Sequence, residues 1–463
     1  MGKTTLALLF LLEGTKQGEK GLDITLSETK EELEQVAKSH GWSLDRLEIL
    51  ELSTIEKHLR TLDPDTLFHP SELELNRTTQ YLTGEIDRIK PSRLALDSLA
   101  ELRLMSETPL RYRRQMLALK QFLSGRHITV LLLDDMTEHR DLQVQSLAHG
   151  VIGMEMISFD YGVERRRLRV AKLRGVNFRG GFHDFVIRPG GLDVFPRLVA
   201  ADYAMPAKRE TFSSGLREFD QMLNGGLDCG TSTLILGPAG TGKSTLASQV
   251  VTAAASRGQK GAILTFDENA STLIERCDNL GMKLSGHIQK GLISVAQIDP
   301  ASLSPGQFVH RLKHQVLVEK VQVVLIDSLN GYLNAAPSEK FLNIHLHELL
   351  AFLSHRNVVS ILTIAHQGMT GPMHGPVDVT YLADTVVLMR FFEFRATVKK
   401  AVSIIKKRTG KPEDTIREFS IETTGIRVGQ PLTDFHGVLT GVPTFYGKEE
   451  QMLSGNGRRT AAI

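Results

Sequence analysis

Short apolar runs alternate with amphipathic stretches along most of this chain, a pattern typical of α/β proteins. In the second half the apolar runs predict strands at Thr233–Leu236, Gly261–Phe266, Val323–Ile326, Val359–Ile364, Thr385–Phe392 and Ala401–Lys407. In the first half the same signals predict strands at Gly21–Leu26, Arg93–Leu96, Ile128–Leu133, Val151–Phe159 and Arg165–Lys172, and helices at Thr4–Gly18, Thr29–Ser39 and Ser106–Ser124. Early strands alternate with helices and late strands follow one another as hairpins. We therefore expect a mainly parallel sheet flanked by helices, with an antiparallel edge.

A glycine-rich segment lies between the strand predicted at Thr233–Leu236 and a helical pattern. It fits G-x-x-x-x-G-K-[ST], which binds nucleotide phosphates, at every fixed position. The predicted nucleotide-binding residues are Gly237, Pro238, Ala239, Gly240, Thr241, Gly242, Lys243, Ser244 and Thr245. Glycines let backbone N–H groups surround a phosphate, and the helix N-terminus adds a positive dipole end. We expect Lys243 to reach the β- and γ-phosphates of ATP and the Ser244 hydroxyl to bind Mg²⁺.

The chain contains the same landmarks twice, in the same order. The two corresponding lysines, Lys3 and Lys243, are 240 positions apart. The matched segments pair residues 1–7 with 241–247, 26–28 with 266–268, 94–99 with 324–329, 146–149 with 381–384, and 172–175 with 406–409. We therefore predict a tandem duplication of one ATPase fold.

The first copy is truncated at its N-terminus and starts inside its own phosphate loop. It keeps Gly2, Lys3, Thr4 and Thr5 as predicted nucleotide-binding residues, but it has no counterpart of the upstream glycines or of the strand before them. Two interpretations are open. Either Met1 is an internal codon of a longer protein, or the first copy is degenerate and binds nucleotide poorly. The first is favoured because the rest of this copy keeps its landmarks, as expected of an intact unit.

Composition changes along the chain predict the domain boundaries. The segment Pro189–Pro206 holds two adjacent glycines and three prolines, which predicts a linker. From Gly437 the chain has little apolar periodicity, which predicts a mobile end. We predict a first ATPase domain at 1–195, a linker at 196–206, a second ATPase domain at 207–432 and a mobile C-terminal tail at 433–463.

An aspartate ends a corresponding apolar strand in each copy, Asp327 in the second and Asp97 in the first. Nucleotide enzymes hold a magnesium carboxylate at this place, near the phosphate loop. We expect Asp327 with Ser244, and Asp97 with Thr4, to bind the metal. The alternative is that each aspartate caps a helix.

Further carboxylates end the strand that follows the phosphate-loop helix. The second copy has Asp267 and Glu268 there, whereas the first keeps only Glu28, with Ser27 beside it. A carboxylate at this point can orient and deprotonate the attacking water. We predict Asp267, Glu268 and Glu28 to be catalytic; the alternative is a solvated strand end.

A lysine and an arginine, two positions apart, close a late strand in each copy. They are Lys406 and Arg408 in the second copy, and Lys172 and Arg174 in the first. Alternate strand residues share a face, so each pair suits a catalytic clamp on a γ-phosphate bound by a neighbouring subunit. The alternative is a solvated basic edge.

Composition narrows the class of protein. The 463 residues are 41% hydrophobic and 23% charged, as in ordinary globular domains. The net charge of +2 supplies no global attraction to nucleic acid, and acidic residues balance the basic clusters, so we expect no nucleic-acid partner. Two cysteines exclude a disulfide framework and suit a reducing cytoplasm. The apolar run Leu6–Leu12 is too short to span a bilayer, so we expect a cytoplasmic protein without membrane association.

Taken together, these residues resemble the KaiC-like branch of the RecA-type ATPases, the circadian clock family. The likeness covers nearly the whole chain and rests on GPAGTGKST, the Asp267-Glu268 pair, VVLIDSLN, YLADTVVLM, the terminal KKRTG and the duplication. It implies tandem RecA-like P-loop NTPase domains that bind ATP and Mg²⁺. It also implies a homo-hexameric double ring with nucleotide between subunits.

The resemblance further implies autophosphorylation in the second copy, where the family has an adjacent Ser-Thr pair. Here that position aligns with Thr380-Tyr381, so a hydroxyl of the expected kind survives only at Thr380. Thr380 is therefore the candidate phosphorylation site, without a two-site cycle. The sequence identifies no clock-type or signalling partner.

Three functions remain open. The favoured one is an oligomeric switch that hydrolyses ATP, with or without serine/threonine autokinase activity. The second is a DNA-acting recombinase or motor, which the fold permits; near-neutral charge and the lack of a basic stripe with interleaved aromatics count against it. The third is a scaffold stabilised by nucleotide, against which the intact carboxylates count.

Overall fold

The computed structural model describes residues 2–51, 53, 71–106, 108–135, 142–158, 162–206, 210–334, 342–365, 380–440 and 444–446. The chain divides into two compact units, one comprising Met1–Phe159 with Glu164–Arg197, the other Asp160–Val163 with Leu198–Ile463. Each unit has hydrophobic core clusters of its own. The predicted tandem α/β architecture is confirmed.

A parallel sheet flanked by helices forms the first part of the first unit. Its strands are β1 (Gly21–Thr25), β2 (Leu47–Glu51), β3 (Arg93–Asp97) and β4 (Thr129–Leu132), in the spatial order β2-β1-β3-β4. Its helices are α1 (Lys3–Lys16), α2 (Lys30–Ser39), α3 (Ser71–Ile89), α4 (Leu99–Leu104), α5 (Pro109–Ser124) and α6 (Leu142–Leu147). Leu22, Ile24 and Leu94 on β1 and β3 are buried in its largest core cluster. Local signals agree with this packing, since Thr29 and Glu32 form a capping box at the start of α2.

An antiparallel sheet forms the rest of the first unit. Its strands are β5 (Gly150–Ile157), β6 (Arg165–Leu173), β7 (His183–Arg188) and β8 (Gly191–Phe195), in sequence order. The linker predicted at Pro189–Pro206 is therefore wrong in its first part. Pro189 and Gly190 lie in the turn of the β7–β8 hairpin, and Gly190 has the positive φ of 98° that favours glycine. The glycine signal was a turn within a sheet, not a boundary between domains.

The stretch predicted as the linker core, 196–206, also contains regular structure. A 3₁₀ helix spans Ala200–Tyr203. Leu198 and Ala200 are buried in a core cluster of the second unit, so this segment packs as part of that unit.

The second unit is built around one nine-stranded sheet. The strands of this unit are β9 (Thr211–Phe212), β10 (Leu227–Asp228), β11 (Ser232–Gly237), β12 (Gly261–Thr265), β13 (Ile293–Gln297), β14 (Val323–Asp327), β15 (Val359–Ala365), β16 (Thr385–Phe394), β17 (Thr397–Lys407), β18 (Ile416–Glu422), β19 (Gly425–Pro431), β20 (Phe435–His436) and β21 (Thr444–Phe445). Its helices are α7 (Arg217–Met222), α8 (Lys243–Ser256), α9 (Ala270–Asn279), α10 (Leu284–Gln289), α11 (Pro305–Leu317), α12 (Leu329–Asn334) and α13 (Leu342–His355). The large sheet has the order β13-β12-β14-β15-β11-β16-β17-β18-β19. Strands from β13 to β16 are parallel and those from β16 to β19 antiparallel, as the sequence predicts.

Strand β11 lies at the centre of this sheet, paired with β15 on one side and β16 on the other. Two core clusters, on opposite faces of the sheet, both include residues of β11: Leu234 lies in one and Ile235 in the other. β11 therefore joins the parallel half to the antiparallel half and holds the start of the phosphate loop between them.

The first unit has the same two halves, but among its described residues no strand joins them. Its sheets end at β4 and β5, the counterparts of β15 and β16. Leu132 on β4 is 36% exposed, whereas Leu362, at the same register position of β15, is 2% exposed. Ile152 on β5 is 50% exposed, whereas its counterpart Val387 is fully buried. In the described residues the two sheets of the first unit are therefore separate, and their facing strands β4 and β5 keep apolar side chains partly exposed.

Part of the predicted mobile tail at 433–463 is ordered. Phe435 and Phe445 pack against Phe394 on β16, and β20 pairs with β21. The prediction failed here because these aromatic residues are too sparse to form a period. Residues 447–463 lie outside the described part of the chain. No helix among the described residues is both long enough and apolar enough to cross a membrane.

Candidate nucleotide-binding site

The phosphate loop of the second unit connects β11 to α8. β11 ends at Gly237, and α8 begins at Lys243 after Gly242, whose φ is 102°. A Cβ at position 242 would lie 2.7 Å from the Ile421 side chain, and one at 237 would collide with the Met389 carbonyl, so only glycine fits at either. The other predicted loop residues, Pro238, Ala239, Gly240 and Thr241, lie between these glycines, and Ser244 and Thr245 lie in the first turn of α8.

Lys243 places a buried cation inside this loop. Its Nζ donates a hydrogen bond to the Pro238 carbonyl at 2.8 Å, and Thr241 Oγ1 donates to the same carbonyl at 2.9 Å. Burial lowers the pKa of the Lys243 ammonium, and the Asp327 carboxylate opposes that shift. A cation desolvated in this way gains more from an incoming phosphate than an exposed lysine does.

Asp327 is the last residue of β14 and is buried. Its Oδ1 accepts a hydrogen bond from Thr363 Oγ1, whereas Oδ2 finds no hydrogen-bond partner among the described residues. An orphaned anionic oxygen suits Mg²⁺, which binds one or two carboxylates together with substrate phosphates. Among the described residues no group of three or more His, Cys, Asp or Glu side chains could hold a metal alone. The residues at hand thus fit a magnesium ion shared with a nucleotide.

Asp267 and Glu268 follow β12, in the turn before α9. Asp267 accepts a hydrogen bond from Ser328 Oγ, so its carboxylate is tied to the residue after Asp327. Glu268 accepts two bonds from Arg276 on α9, from Nε at 3.1 Å and from Nη2 at 2.7 Å. The predicted catalytic glutamate is therefore held in a bidentate ion pair.

Arg276 was not predicted as a site residue. Its Nη1 also donates to Thr245 Oγ1 at 2.6 Å, which links Glu268 to the helix that follows the phosphate loop. The sequence contained one signal for it. Arg276 lies eight residues after Glu268, and the corresponding residue of the first copy is Val36, so a comparison of the copies shows the difference.

The first unit keeps the geometry of what remains of its loop. Gly2 has a φ of 98° before α1, close to the 102° of Gly242 before α8. Thr4 Oγ1 donates to Asp97 Oδ2 at 3.0 Å and lies 3.3 Å from Glu28 Oε1. Thr5 is buried in the first turn of α1. The structure therefore brings three predicted residues, Thr4, Asp97 and Glu28, into contact.

The side chain of Lys3 does not point into the phosphate loop as that of Lys243 does. Its Nζ donates to the Asp134 carbonyl at 3.2 Å and forms an ion pair with Asp135. Lys3 therefore pairs with the segment after β4, whereas Lys243 contacts the Pro238 carbonyl of its own loop.

Burial gives the first unit's carboxylates unusual proton affinities. It raises the pKa of Glu28, and the charge of Asp97 adds to the shift. It also raises that of Asp97, against the Thr4 hydrogen bond. Asp23 on β1, which the sequence analysis missed, has its pKa raised to about 7 by burial and by the charges of Asp97 and Glu28. A comparison of the copies could have found it, because Ile263 takes its place in the second.

The paired cations at the end of each late strand bind backbone carbonyls of their own unit. Lys406 Nζ donates to the carbonyls of Thr380 and Ala383, at 3.0 and 2.8 Å. Arg408 binds the Tyr381 carbonyl at 2.6 Å and Asp384 at 3.2 Å.

The first unit repeats this arrangement. Lys172 binds the carbonyls of Gln145 and Ser146, and Arg174 binds that of Ser146. In both units the cations therefore fix the segment before β16 or β5 and leave the phosphate loop of the same unit to other residues.

Thr380 lies in the segment that Lys406 holds, and its side chain is partly exposed. Tyr381 beside it is 56% exposed. Residues 366–379, before Thr380, lie outside the described part of the chain.

Comparisons with known proteins identify the family of this chain. A sequence model described as the KaiC ATPase matches residues 1–199 and 212–433. The chain is 24% identical to the circadian clock oscillator protein KaiC of Parathermosynechococcus lividus, over 97% of this chain and 84% of that protein. It is 22% identical to the circadian clock protein KaiC3 of Synechocystis sp., over 98% of this chain and 90% of that protein. Since the match covers both copies, this chain belongs to the KaiC family of P-loop ATPases.

Proposed function

We propose that this protein is a cytoplasmic oligomeric switch that binds and hydrolyses ATP, and that its second unit carries most of the turnover. One observation supports this most directly. The phosphate loop with Lys243, the orphaned oxygen of Asp327 and the Asp267-Glu268 pair all lie at the carboxyl ends of strands in the parallel half of one sheet. The carboxyl ends of such strands are where α/β proteins bind ligands.

Each residue has a distinct task in this proposal. The loop N–H groups and Lys243 bind the phosphates, and Glu268 orients the attacking water and takes its proton. Ser244 and Asp327 would hold Mg²⁺, which supplies charge neutralisation on the phosphate oxygens. Asp267 is held beside this group by its hydrogen bond from Ser328.

We further propose a homo-hexamer with nucleotide between subunits. The support is the family membership together with Arg408, which follows β17 and whose side chain is 52% exposed although it binds Asp384. A cation of this kind stabilises charge on a transferring phosphoryl group and is worth about 10³–10⁵ in rate. Lys172, Arg174 and Lys406 would position the same edge of each unit.

Binding by the phosphate loop is the first test. Lys243→Ala removes the loop cation, so we expect at least a tenfold weaker affinity of the second site for a non-hydrolysable ATP analogue. Isothermal titration of the full chain with Mg²⁺ gives the affinity and stoichiometry. Lys260→Ala, which removes an exposed lysine before β12, is the matched control. Equal affinity in both variants and the wild type would refute the assigned site.

The partly exposed hydroxyl of Thr380, at the position where the family has its phosphorylated pair, supports a second activity, autophosphorylation. In this step the γ-phosphorus forms a bond to Thr380 Oγ1, its bond to the ADP oxygen breaks, and the hydroxyl proton passes to a carboxylate such as Glu268. Tyr381 is a poorer acceptor, because its ring carries the oxygen several ångströms farther from the backbone.

Peptide mass mapping after incubation with ATP·Mg²⁺ tests this activity. We expect one phosphate, on Thr380, that is absent from Thr380→Ala. Phosphate elsewhere that persists in Thr380→Ala would leave a plain ATPase. A DNA-acting motor has less support, since the net charge of +2 supplies little attraction to phosphate backbones.

A further inference from the structure

The corresponding glutamates of the two units make different contacts. In the first unit Glu28 lies 3.3 Å from Thr4 Oγ1, which also donates to Asp97. Glu28 thus lies beside Thr4 and Asp97, the two residues expected to bind the metal in the first unit. In the second unit Glu268 is instead bonded through both carboxylate oxygens to Arg276. The corresponding glutamates of the two copies therefore differ in position: one lies beside the metal-binding residues and the other is bound to an arginine.

The difference follows from one residue on the helix after the glutamate. Arg276 of α9 corresponds to Val36 of α2, which has no group to bind a carboxylate. Arg276 is anchored a second time, by its bond to Thr245 Oγ1 on α8. The Arg276 and Glu268 side chains are only 29% and 27% exposed, so solvent screens their ion pair incompletely.

We propose that Arg276 is a positioning residue that holds Glu268 away from the attacking water and thereby limits the rate of ATP hydrolysis in the second unit. This inference rests on the proposed ATPase function. A guanidinium that binds both carboxylate oxygens occupies the acceptor positions that would otherwise contact the attacking water. For full turnover Glu268 must leave Arg276 and move beside Ser244. This position corresponds to that of Glu28 beside Thr4 in the first unit.

Steady-state kinetics of the full chain with ATP·Mg²⁺ test this role. We expect Arg276→Gln to raise kcat about 3- to 10-fold with KM within about twofold of wild type, because the phosphate contacts stay in place. Arg276→Lys, which keeps the charge but loses the bidentate geometry, is expected to give an intermediate kcat. Glu268→Gln with Arg276→Gln is expected to be as inactive as Glu268→Gln alone.

The matched control is Arg126→Gln in the first unit. Arg126 also forms a bidentate pair, with Asp87, at 2.8 and 3.0 Å, but it lies outside the site. Its kcat is expected to equal that of wild type, and thermal melting of every variant checks that the fold is kept.

The outcomes separate this inference from the proposed function. If Glu268→Gln abolishes turnover but Arg276→Gln leaves kcat unchanged or lowers it, Arg276 does not restrain Glu268 and the inference is overturned alone. If Arg276→Gln raises kcat equally in the Glu268→Gln background, the restraint acts on another group and the inference is again overturned. If no variant, including wild type, hydrolyses ATP, the proposed function and this inference both fall.

Discussion

Asp23 is a buried carboxylate of the first copy at a position where the second copy has an apolar residue. It lies on β1 with 3% of its surface exposed, and its Oδ1 has no hydrogen-bond partner among the described residues. The second copy has Ile263 at this position, inside an apolar core cluster. Burial of a carboxylate with an unpaired oxygen favours its protonated form. Asp23 therefore makes the stability of the first unit depend on pH.

The direction of this dependence follows from the pKa of Asp23. Its value rises from 3.8 to about 7 on folding, through burial and the neighbouring charges of Asp97 and Glu28. Because the folded unit binds this proton more tightly than the unfolded chain, the stabilisation is present below pH 3.8 and is lost as the pH rises through about 7. We expect Asp23→Asn to be more stable than wild type at pH 8, by a few kcal/mol at most.

Urea unfolding at pH 5.5 and at pH 8 measures this difference. We expect the stability gain of Asp23→Asn over wild type to shrink clearly at the lower pH, where wild-type Asp23 is protonated. Asp45→Asn, which changes an exposed aspartate, should show no such trend. A gain of the same size at both pH values would show that Asp23 does not titrate in this range.

At the scale of elements, the sequence predicted what depends on local pattern. The apolar runs located β11, β12, β14, β15, β16 and β17 to within a few residues, because strands that are buried on both faces are almost continuously apolar. The phosphate loop could be predicted equally well, since its glycines meet steric requirements that no other residue satisfies.

The sequence could not supply contacts that depend on tertiary packing. The hairpin of β7 and β8 could not be predicted, because proline and glycine residues are typical of both turns and linkers. Arg276 and Asp23 were missed because their roles come from neighbours distant in sequence, Thr245 in one case and Asp97 in the other. The contacts of Lys406 with loop carbonyls likewise follow from the position of β17 beside β16.

The split sheet of the first unit leads to a prediction at this scale. A copy of residues Thr231–Gly240 placed directly before Met1 would supply the strand that β11 forms in the second unit and would restore the G-x-x-x-x-G-K-[ST] pattern. Burial of side chains such as Leu132 and Ile152 is worth about 1.5–3 kcal/mol each when complete. We expect this extended protein to gain a first-unit nucleotide site.

Titration in the Lys243→Ala background isolates this site, because the second loop is then disabled. Without the added strand we expect little binding of an ATP analogue, and with it about one site per chain. The control carries aspartate in place of the copied Leu234 and Leu236, which cannot enter the buried gap. Equal binding with and without the added strand would mean that the first unit already binds the ATP analogue. Equal binding in the control would mean that the gap between β4 and β5 does not require an apolar strand.

At the scale of the whole molecule, the duplication sets two similar units in one chain with different chemistry. The second has a complete phosphate loop and a glutamate held by Arg276, and the first has a loop remnant and a protonatable cluster around Asp23. In the proposed homo-hexamer, such units can act together through nucleotide bound between chains. Nucleotide bound between chains would then couple turnover to assembly.

Oligomeric state is therefore expected to depend on ATP. A ligand that binds at an interface stabilises the assembly by mass action, so light scattering after size exclusion should give a larger mass with ATP·Mg²⁺ than without, approaching six times the 51.3 kDa chain. Lys243→Ala should lose most of this dependence because it no longer binds the ligand at the second loop. Arg408→Ala should weaken it by removing a cation from the proposed interface, whereas Lys411→Ala, three residues later and 84% exposed, should behave as wild type. A monomer of unchanged mass under both conditions would remove Arg408 from the mechanism and leave each unit to act alone.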